Sequence, residues 1–205
     1  MGYESAMAKG FAPAAERNRQ PILEVLRRVL PTQGLVLEIA SGTGQHASYF
    51  ARHLSSLRWQ PTEVSAERIR SIAAWVDEAG RDNLLPPLEL DVRSATWPVS
   101  SADAMVCINM IHISPWQTTE ALFCGAQTLL EPGSPLITYG PYRLHGRHTA
   151  PSNAAFDQSL RSRDPRWGVR DIDELTELAH RTGLSLEEHV QMPANNMTLV
   201  WRRIV

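Results

Sequence analysis

The chain has 205 residues, of which 43% are hydrophobic and 20% are charged, and its formal net charge is -2. This length supplies one well-buried core but not two, so we expect a single domain over residues 1–205. The slightly acidic balance provides no general attraction for phosphate backbones, which argues against a nucleic-acid partner. We find no basic region followed by an apolar signal and no apolar run of about 20 residues, so we expect a cytoplasmic protein without a membrane span.

Hydrophobic periodicity predicts an alternation of helices and strands along most of the chain. The predicted helices cover residues 14–30, 46–54, 66–79, 118–130 and 171–182. The predicted strands cover residues 35–39, 57–64, 88–92, 104–109, 135–139, 185–192 and 197–202. Alternating strands and helices indicate a parallel sheet, whereas the last two strands, joined through residues 193–196, predict a closing hairpin.

Residues 140–168 interrupt this alternation, because they are rich in Pro, Gly, Arg and His and too long for an ordinary connection. We interpret them as an insertion on the substrate side. Arginine is concentrated in or next to this insertion, at Arg143, Arg147, Arg161, Arg163, Arg166 and Arg170. Only Asp157 and Asp164 oppose these cations, which predicts a positive entrance for an anionic substrate. Arginines that are merely solvated in a loop are the alternative.

The glycines of Gly42-Thr43-Gly44 lie between a predicted strand and a predicted helix, where they let a ligand approach the backbone closely. The spacing of Gly42, Gly44 and Ala47, with Glu63 about 20 residues further on, fits a nicotinamide-dinucleotide site. Glu38 favours S-adenosylmethionine instead, because a carboxylate repels a pyrophosphate but attracts an ammonium and a sulfonium group. A turn with only a structural role remains a third interpretation.

The motif Glu38-Ile-Ala-Ser-Gly42-Thr-Gly44 resembles the first motif of class I methyltransferases. Residues from nearly the whole chain also resemble the methyltransferase-like 26 family, which is described as a domain of unknown function; they are residues 14–18, 38–46, 109–116, 139–142 and 193–196. This resemblance implies an α/β fold with a Rossmann-like, doubly wound, seven-stranded sheet. The sheet is expected to be mostly parallel with an antiparallel last strand and helices on both faces. The implied cofactor is S-adenosylmethionine, with S-adenosylhomocysteine as product.

The cofactor-binding residues that follow from the motif and the resemblance are Glu38, Ala40, Gly42, Gly44, Glu63, Asp91, Val92 and Asn109. Glu63 resembles the acid that holds the ribose hydroxyls in such enzymes, and a carboxylate can accept two of these hydrogen bonds. Asp91 and the backbone of Val92 resemble the groups that read the adenine edge. An exposed aspartate at a strand end is the alternative for Asp91.

Methyl transfer is a displacement at carbon, so the enzyme must align the acceptor and, where the acceptor is protonated, remove a proton. His112 follows the fourth predicted strand, at the sheet edge where such folds bind ligands, and is the predicted base. Tyr142 is the second catalytic candidate, and a buried structural histidine is the alternative for His112. The candidate acceptor-binding residues are Asn18, Trp116, Tyr139, Arg143, Arg147 and Asn196.

The cysteines and histidines do not have the spacing of metal ligands, so we expect neither a metal site nor a disulfide between Cys107 and Cys124. The sequence favours methyl transfer from S-adenosylmethionine to an oxygen or nitrogen atom of a small molecule, which the arginines suggest is anionic. Two alternatives stay open: a non-catalytic S-adenosylmethionine-binding or scaffold protein, and an NAD-dependent oxidoreductase.

Overall fold

The computed structural model describes residues 9–204. Its helices in chain order are α1 (Pro13–Val29), α2 (Gln45–His53), α3 (Ala66–Ala79), α4 (Trp116–Leu129), α5 (Pro151–Arg163) and α6 (Ile172–Arg181). Its strands are β1 (Gly34–Ile39), β2 (Leu57–Glu63), β3 (Leu88–Glu89), β4 (Ala104–Ile108), β5 (Pro135–Gly140), β6 (Tyr142–Leu144), β7 (Arg147–His148), β8 (Arg170–Asp171), β9 (Leu184–Met192) and β10 (Asn196–Arg203). Short 3-10 helices span Met110–His112 and Pro193–Asn195.

The main sheet has seven strands in the order β3-β2-β1-β4-β5-β10-β9. Six strands run in one direction, and β10 is antiparallel to both of its neighbours, β5 and β9. The predicted Rossmann-like sheet with an antiparallel last strand is therefore confirmed. The carboxyl ends of the parallel strands share one edge, which is where folds of this kind bind ligands.

Two apolar layers cover the faces of this sheet, because side chains of a strand alternate between its faces. Leu37 and Ile39 of β1 face the layer that contains residues of α4 and α6. Val36 faces the other layer, which contains residues of α1 and α2. The helices on both faces thus bury the hydrophobic positions from which the sheet was predicted.

No helix or strand is predicted for residues 140–168, yet the structure has β6, β7 and α5 there. Strand β6 pairs with β7 and with β8 to form a second, three-stranded sheet. Tertiary contacts stabilise this segment: the Asp157 carboxylate of α5 accepts hydrogen bonds from Val169 N at 2.7 Å and Arg161 Nε at 2.9 Å. Such contacts leave no mark in local periodicity, and the Pro- and Gly-rich composition therefore suggested a loop.

Among residues 9–204, no helix combines the length and the apolar character that a membrane crossing requires.

Candidate functional site

A cavity of about 380 Å³ lies at the carboxyl ends of β1, β2 and β4. Four of the predicted cofactor-binding residues line it: Ala40, Glu63, Asp91 and Val92. Its wall is completed by residues from the segment after β4, including Met110 and Ser114, and by residues that precede β8. The cavity occupies the sheet edge at which the sequence predicted ligand binding.

The two glycines of the turn after β1 have different structural roles. Gly42 has a φ of +59°, and no heavy atom lies within 4 Å of the position that a Cβ would occupy. Gly44 has a φ of +92°, and a Cβ there would lie 2.9 Å from the Cα of Ile72 in α3. Gly42 therefore leaves space open beside the turn, whereas Gly44 allows α2 and α3 to pack closely.

Ala40 has a φ of +54° although it is not a glycine. A left-handed conformation costs an L-residue roughly 1–2 kcal/mol, and such strain tends to occur at ligand-binding sites. Ala40 lines the cavity, so the backbone strain lies beside the space where a ligand would bind.

Glu63, at the end of β2, is held in a single orientation by backbone amides. Its Oε2 accepts a hydrogen bond from Gly42 N at 3.0 Å, and its Oε1 accepts bonds from Val64 N at 2.9 Å and Ser65 N at 3.3 Å. The side chain is only 2% exposed, and Arg68 lies 3.7 Å from Oε2. A carboxylate offers about four lone-pair sites, and the three amides occupy three of them, so Oε2 retains one site for a hydroxyl of a ligand.

Asp91 also lies at the cavity and is bound by Arg93. Its carboxylate accepts hydrogen bonds from Arg93 Nε at 3.0 Å and Arg93 Nη2 at 2.6 Å. These bonds hold the pKa of Asp91 below its usual value. The backbone of Val92 follows it, and Val92 O accepts a bond from Trp97 Nε1 at 3.2 Å. The arrangement presents an oriented anion next to backbone groups, which suits the polar edge of a heterocycle.

The charged residues that line the cavity form three pairs, and each pair is electrically neutral: Arg68 with Glu63, Arg93 with Asp91, and Arg166 with Asp164. Each guanidinium lies within 3.7 Å of its carboxylate. Because every arginine that lines the cavity has an acidic partner there, the cavity favours a neutral ligand over a polyanion.

The arginines of residues 140–170 do not form the predicted positive entrance. Arg143 lies 3.9 Å from Asp171 and 3.5 Å from Glu174, two acids that follow the insertion in sequence. Arg170 is buried, and its guanidinium donates to backbone carbonyl oxygens, including Ile111 O at 2.8 Å. Arg147 is exposed and does not line the cavity. The acids that neutralise Arg143 lie outside residues 140–168, so the composition of the insertion alone did not reveal them.

Glu38 lies behind the turn and does not line the cavity. Its carboxyl group is 1% exposed and accepts a hydrogen bond from Trp59 Nε1 at 2.7 Å. Burial raises the pKa of Glu38 to about 7. The side chain lies on the Val36 face of β1, since residues two apart in a strand share a face. This geometry does not support the prediction that Glu38 meets the charge of a ligand directly.

His112 and Tyr142, the two candidate catalytic residues, are both 0% exposed and lie outside the cavity lining. His112 Nδ1 accepts a bond from Arg170 N at 3.3 Å, and burial lowers the pKa of His112 to about 3. The Tyr142 hydroxyl donates to Thr138 Oγ1 at 2.9 Å, and burial raises its pKa strongly. The burial of His112 away from the cavity does not support the prediction that it is the catalytic base, and its lowered pKa makes the neutral ring a weak base.

Asn18, Tyr139 and His46 meet at the carboxyl edge of the sheet, although they belong to α1, β5 and α2. Asn18 Oδ1 lies 2.7 Å from His46 Nε2, and the Asn18 side chain opposes the upward shift that burial imposes on the pKa of Tyr139. Burial lowers the pKa of His46 to about 4 and raises that of Tyr139. Asn109 has a φ of +64°, and its backbone N–H donates to Tyr139 O at 2.8 Å. The structure therefore brings together two predicted acceptor-binding residues and adds His46.

Two predicted acceptor-binding residues lie apart from this cluster. Asn196 Nδ2 donates to Pro193 O at 3.2 Å and Ala194 O at 3.3 Å, so it stabilises its own turn. Trp116 packs against the core, and the Arg170 guanidinium lies 5.6 Å from its ring centroid. Trp167 lines the cavity but was not predicted, because a single aromatic residue in an insertion gives no periodic signal.

No cluster of three or more His, Cys, Asp or Glu side chains within residues 9–204 is arranged to hold a metal ion.

The sheet topology and the position of the cavity define an α/β protein with the Rossmann-like methyltransferase fold. Residues 9–203 match the model of a family described as "Protein of unknown function (DUF938)", and the chain belongs to this family.

Three solved structures illustrate the similarity of fold. An O-methyltransferase family protein from Burkholderia thailandensis is 16% identical and superposes over 93% of this chain and 57% of its own, with a TM-score of 0.79. The apo form of the S-adenosylmethionine-dependent methyltransferase SibL is 17% identical over 94% and 56%, with a TM-score of 0.77. The calicheamicin biosynthesis methyltransferase CalO1, in an SAH-bound form, is 18% identical over 90% and 53%, with a TM-score of 0.69. The chain spans just over half the length of these proteins.

Proposed function

We propose that this protein binds S-adenosylmethionine in the cavity and transfers its methyl group to a small molecule. The observation that carries this proposal is the Glu63 carboxylate, fixed by the Gly42, Val64 and Ser65 amides at the cavity wall. A carboxylate that is already oriented needs little rearrangement when a hydroxyl of a ligand binds to it, so little binding free energy is lost. A ribose hydroxyl matches the acceptor site that remains on Oε2 of this group.

The residues at the cavity fit the nucleoside part of this cofactor. Glu63 would hold a ribose hydroxyl, Asp91 and the Val92 backbone would bind the edge of the base, and Gly42, whose amide binds Glu63, would leave the turn free of a side chain. When bound, S-adenosylmethionine supplies an electrophilic methyl group. The protein must then align an acceptor atom with that group and exclude water.

The paired charges of the cavity favour S-adenosylmethionine, which has no phosphate, over NAD. NAD carries a pyrophosphate, which needs uncompensated cations or free amides, whereas the three arginines of the cavity each have an acidic partner. The proposal therefore prefers S-adenosylmethionine over the oxidoreductase alternative.

For the acceptor, we retain an oxygen or nitrogen atom of a small molecule. Similar folds in proteins named as O-methyltransferases support oxygen. Asn18 is the side chain that we assign to alignment of the acceptor, because it is half-buried, whereas its neighbours Tyr139 and His46 are buried. The anionic character of the acceptor loses support, because Arg143 has acidic neighbours. The resemblance to methyltransferase-like 26 proteins and a cytoplasmic location also remain part of this proposal.

Calorimetric titration of the full chain with S-adenosylmethionine, S-adenosylhomocysteine and NAD tests the proposal. We expect the first two to bind and NAD not to bind. Transfer of labelled methyl groups to a panel of phenols, carboxylates and amines then separates an enzyme from a non-catalytic binding protein. Binding of NAD alone would overturn the proposal in favour of the oxidoreductase, and binding without any transfer would favour a scaffold.

A further inference from the structure

Residues 164–168, here called the strap, connect α5 to β8 and contribute to the wall of the cavity. Asp164, Arg166 and Trp167 all line it. They come from the insertion that the sequence suggested to be on the substrate side. The same insertion thus contacts the space in which the nucleoside of the cofactor would bind.

The strap is held firmly by hydrogen bonds at both of its ends. Trp167 N donates to Asp164 O at 3.0 Å within the strap, and Gly168 N donates to His112 O at 3.0 Å. Just beyond it, Val169 N donates to the buried Asp157 carboxylate at 2.7 Å. The backbone that carries Trp167 is therefore fixed to the segment after β4 and to α5.

Trp167 is the single aromatic residue among the cavity-lining residues in the described part of the chain. Its ring is half-buried, and the Arg163 guanidinium lies 5.0 Å from the ring centroid. Aromatic side chains stack on nucleobases, and removal of one such contact by alanine typically weakens binding about 5- to 150-fold. An indole in an electrically neutral cavity suits a neutral heterocycle.

We propose that Trp167 stacks on the adenine of the cofactor, so that the insertion recognises the cofactor and not only the acceptor. This inference rests on the proposed function, because it names the residue that binds the base in the same site. It also gives a role to Trp167, the one aromatic side chain of the strap.

Titration of S-adenosylhomocysteine into the wild type, Trp167→Ala and Trp167→Phe tests this inference. We expect Trp167→Ala to raise Kd about tenfold or more, for adenosine as well as for S-adenosylhomocysteine, because the base is common to both. Trp167→Phe, which keeps an aromatic face, is expected to stay within about threefold of the wild type. Phe156→Ala is the matched control, because Phe156 is an exposed aromatic residue of α5 that does not line the cavity.

Tryptophan fluorescence provides a second measurement that does not depend on the alanine variant folding. S-adenosylhomocysteine should change the fluorescence of the wild type, and Trp167→Phe should lose that change while calorimetry still detects binding. Unchanged affinity in Trp167→Ala, or an unchanged fluorescence response in Trp167→Phe, would overturn the role of Trp167. If the wild type binds neither S-adenosylmethionine nor S-adenosylhomocysteine, the proposed function itself is wrong.

Discussion

Glu63 Oε2 and the amide nitrogen of Gly42 form a 3.0 Å hydrogen bond that joins the end of β2 to the turn after β1. The bond connects two groups that the sequence analysis assigned to the cofactor site. Because Glu63 also accepts bonds from Val64 N and Ser65 N, one carboxylate organises the turn and presents an acceptor site to the cavity.

Glu63→Gln should weaken the binding of S-adenosylhomocysteine by about 10- to 100-fold, because hydrogen bonds to a charged group are worth roughly 1.5–3 kcal/mol. The amide replaces one of the two acceptor oxygens with a donor, so it cannot satisfy the backbone amides and a ribose together. Calorimetry measures the change, with Glu67→Gln on the exposed surface of α3 as the control. Binding within twofold of the wild type would show that Glu63 only supports the turn.

Alanine at the two turn glycines should separate stability from binding. Gly44→Ala should lower the free energy of unfolding by about 2–4 kcal/mol, because a positive φ and a close contact with Ile72 both oppose the new Cβ. Gly42→Ala should cost about 1–2 kcal/mol, for the conformation alone, but should abolish cofactor binding. Urea denaturation and calorimetry measure the two effects, and Gly80→Ala, at a positive φ in open space, is the control. Tight binding by Gly42→Ala would contradict the assigned path of ligand approach.

Glu38→Gln should stabilise the protein above neutral pH. Burial raises the pKa of Glu38 from its usual value of 4.5 to about 7. The native state therefore keeps a proton that the unfolded state has released, so stability falls as the pH rises from 4.5 through 7. The amide keeps an oxygen acceptor for Trp59 Nε1 and does not ionise. We expect the variant to be more stable than the wild type by about 1–3 kcal/mol at pH 8 and to lose that advantage at pH 5. An equal difference at both pH values would show that Glu38 does not titrate in this range.

His46→Gln should show the opposite dependence on pH. Burial lowers the pKa of His46 to about 4, whereas an unfolded histidine titrates near 6.5. The unfolded state therefore binds a proton that the native state does not, and the wild type loses stability as the pH falls below 6.5. An amide donor can replace the bond to Asn18 Oδ1, so the variant avoids this loss. The stability of the wild type relative to the variant should fall by about 2 kcal/mol between pH 7 and pH 5. A constant difference in urea denaturation would contradict the burial of a neutral imidazole.

The strands and helices of the fold could be predicted because the patterns that indicate them lie in short stretches of the sequence. Short apolar strands such as 35–39 end in a glycine turn, and the predicted helix at 66–79 has the bounds of α3. Glu63 was predicted as a cofactor ligand because it follows Gly42 by about 20 residues, which is the length of the helix and strand that connect the two positions.

The accessibility of side chains could not be predicted in the same way. His112 is buried because Arg170, 58 residues further along the chain, donates its backbone amide to the ring. Arg143 meets Glu174, and α5 folds against Val169, through contacts that no local pattern records. Trp167 reaches the cavity through these same long-range bonds. Its place in the wall of the cavity therefore could not be predicted from the sequence.

The reversed strand β10 also constrains the order in which the molecule can be assembled. β10 lies between β5 and β9, so until residues 196–203 have left the ribosome β5 pairs only with β4, and β9 has no neighbour in the sheet. Helix α1 packs on α2 and also contacts both β9 and β10, so its packing is completed only after these late segments have been made. Because such distant pairings are slow to form, the nascent chain carries an open sheet edge at β5 from the synthesis of that strand until β10 has been made, and this edge is where a chaperone or a second copy would compete with folding.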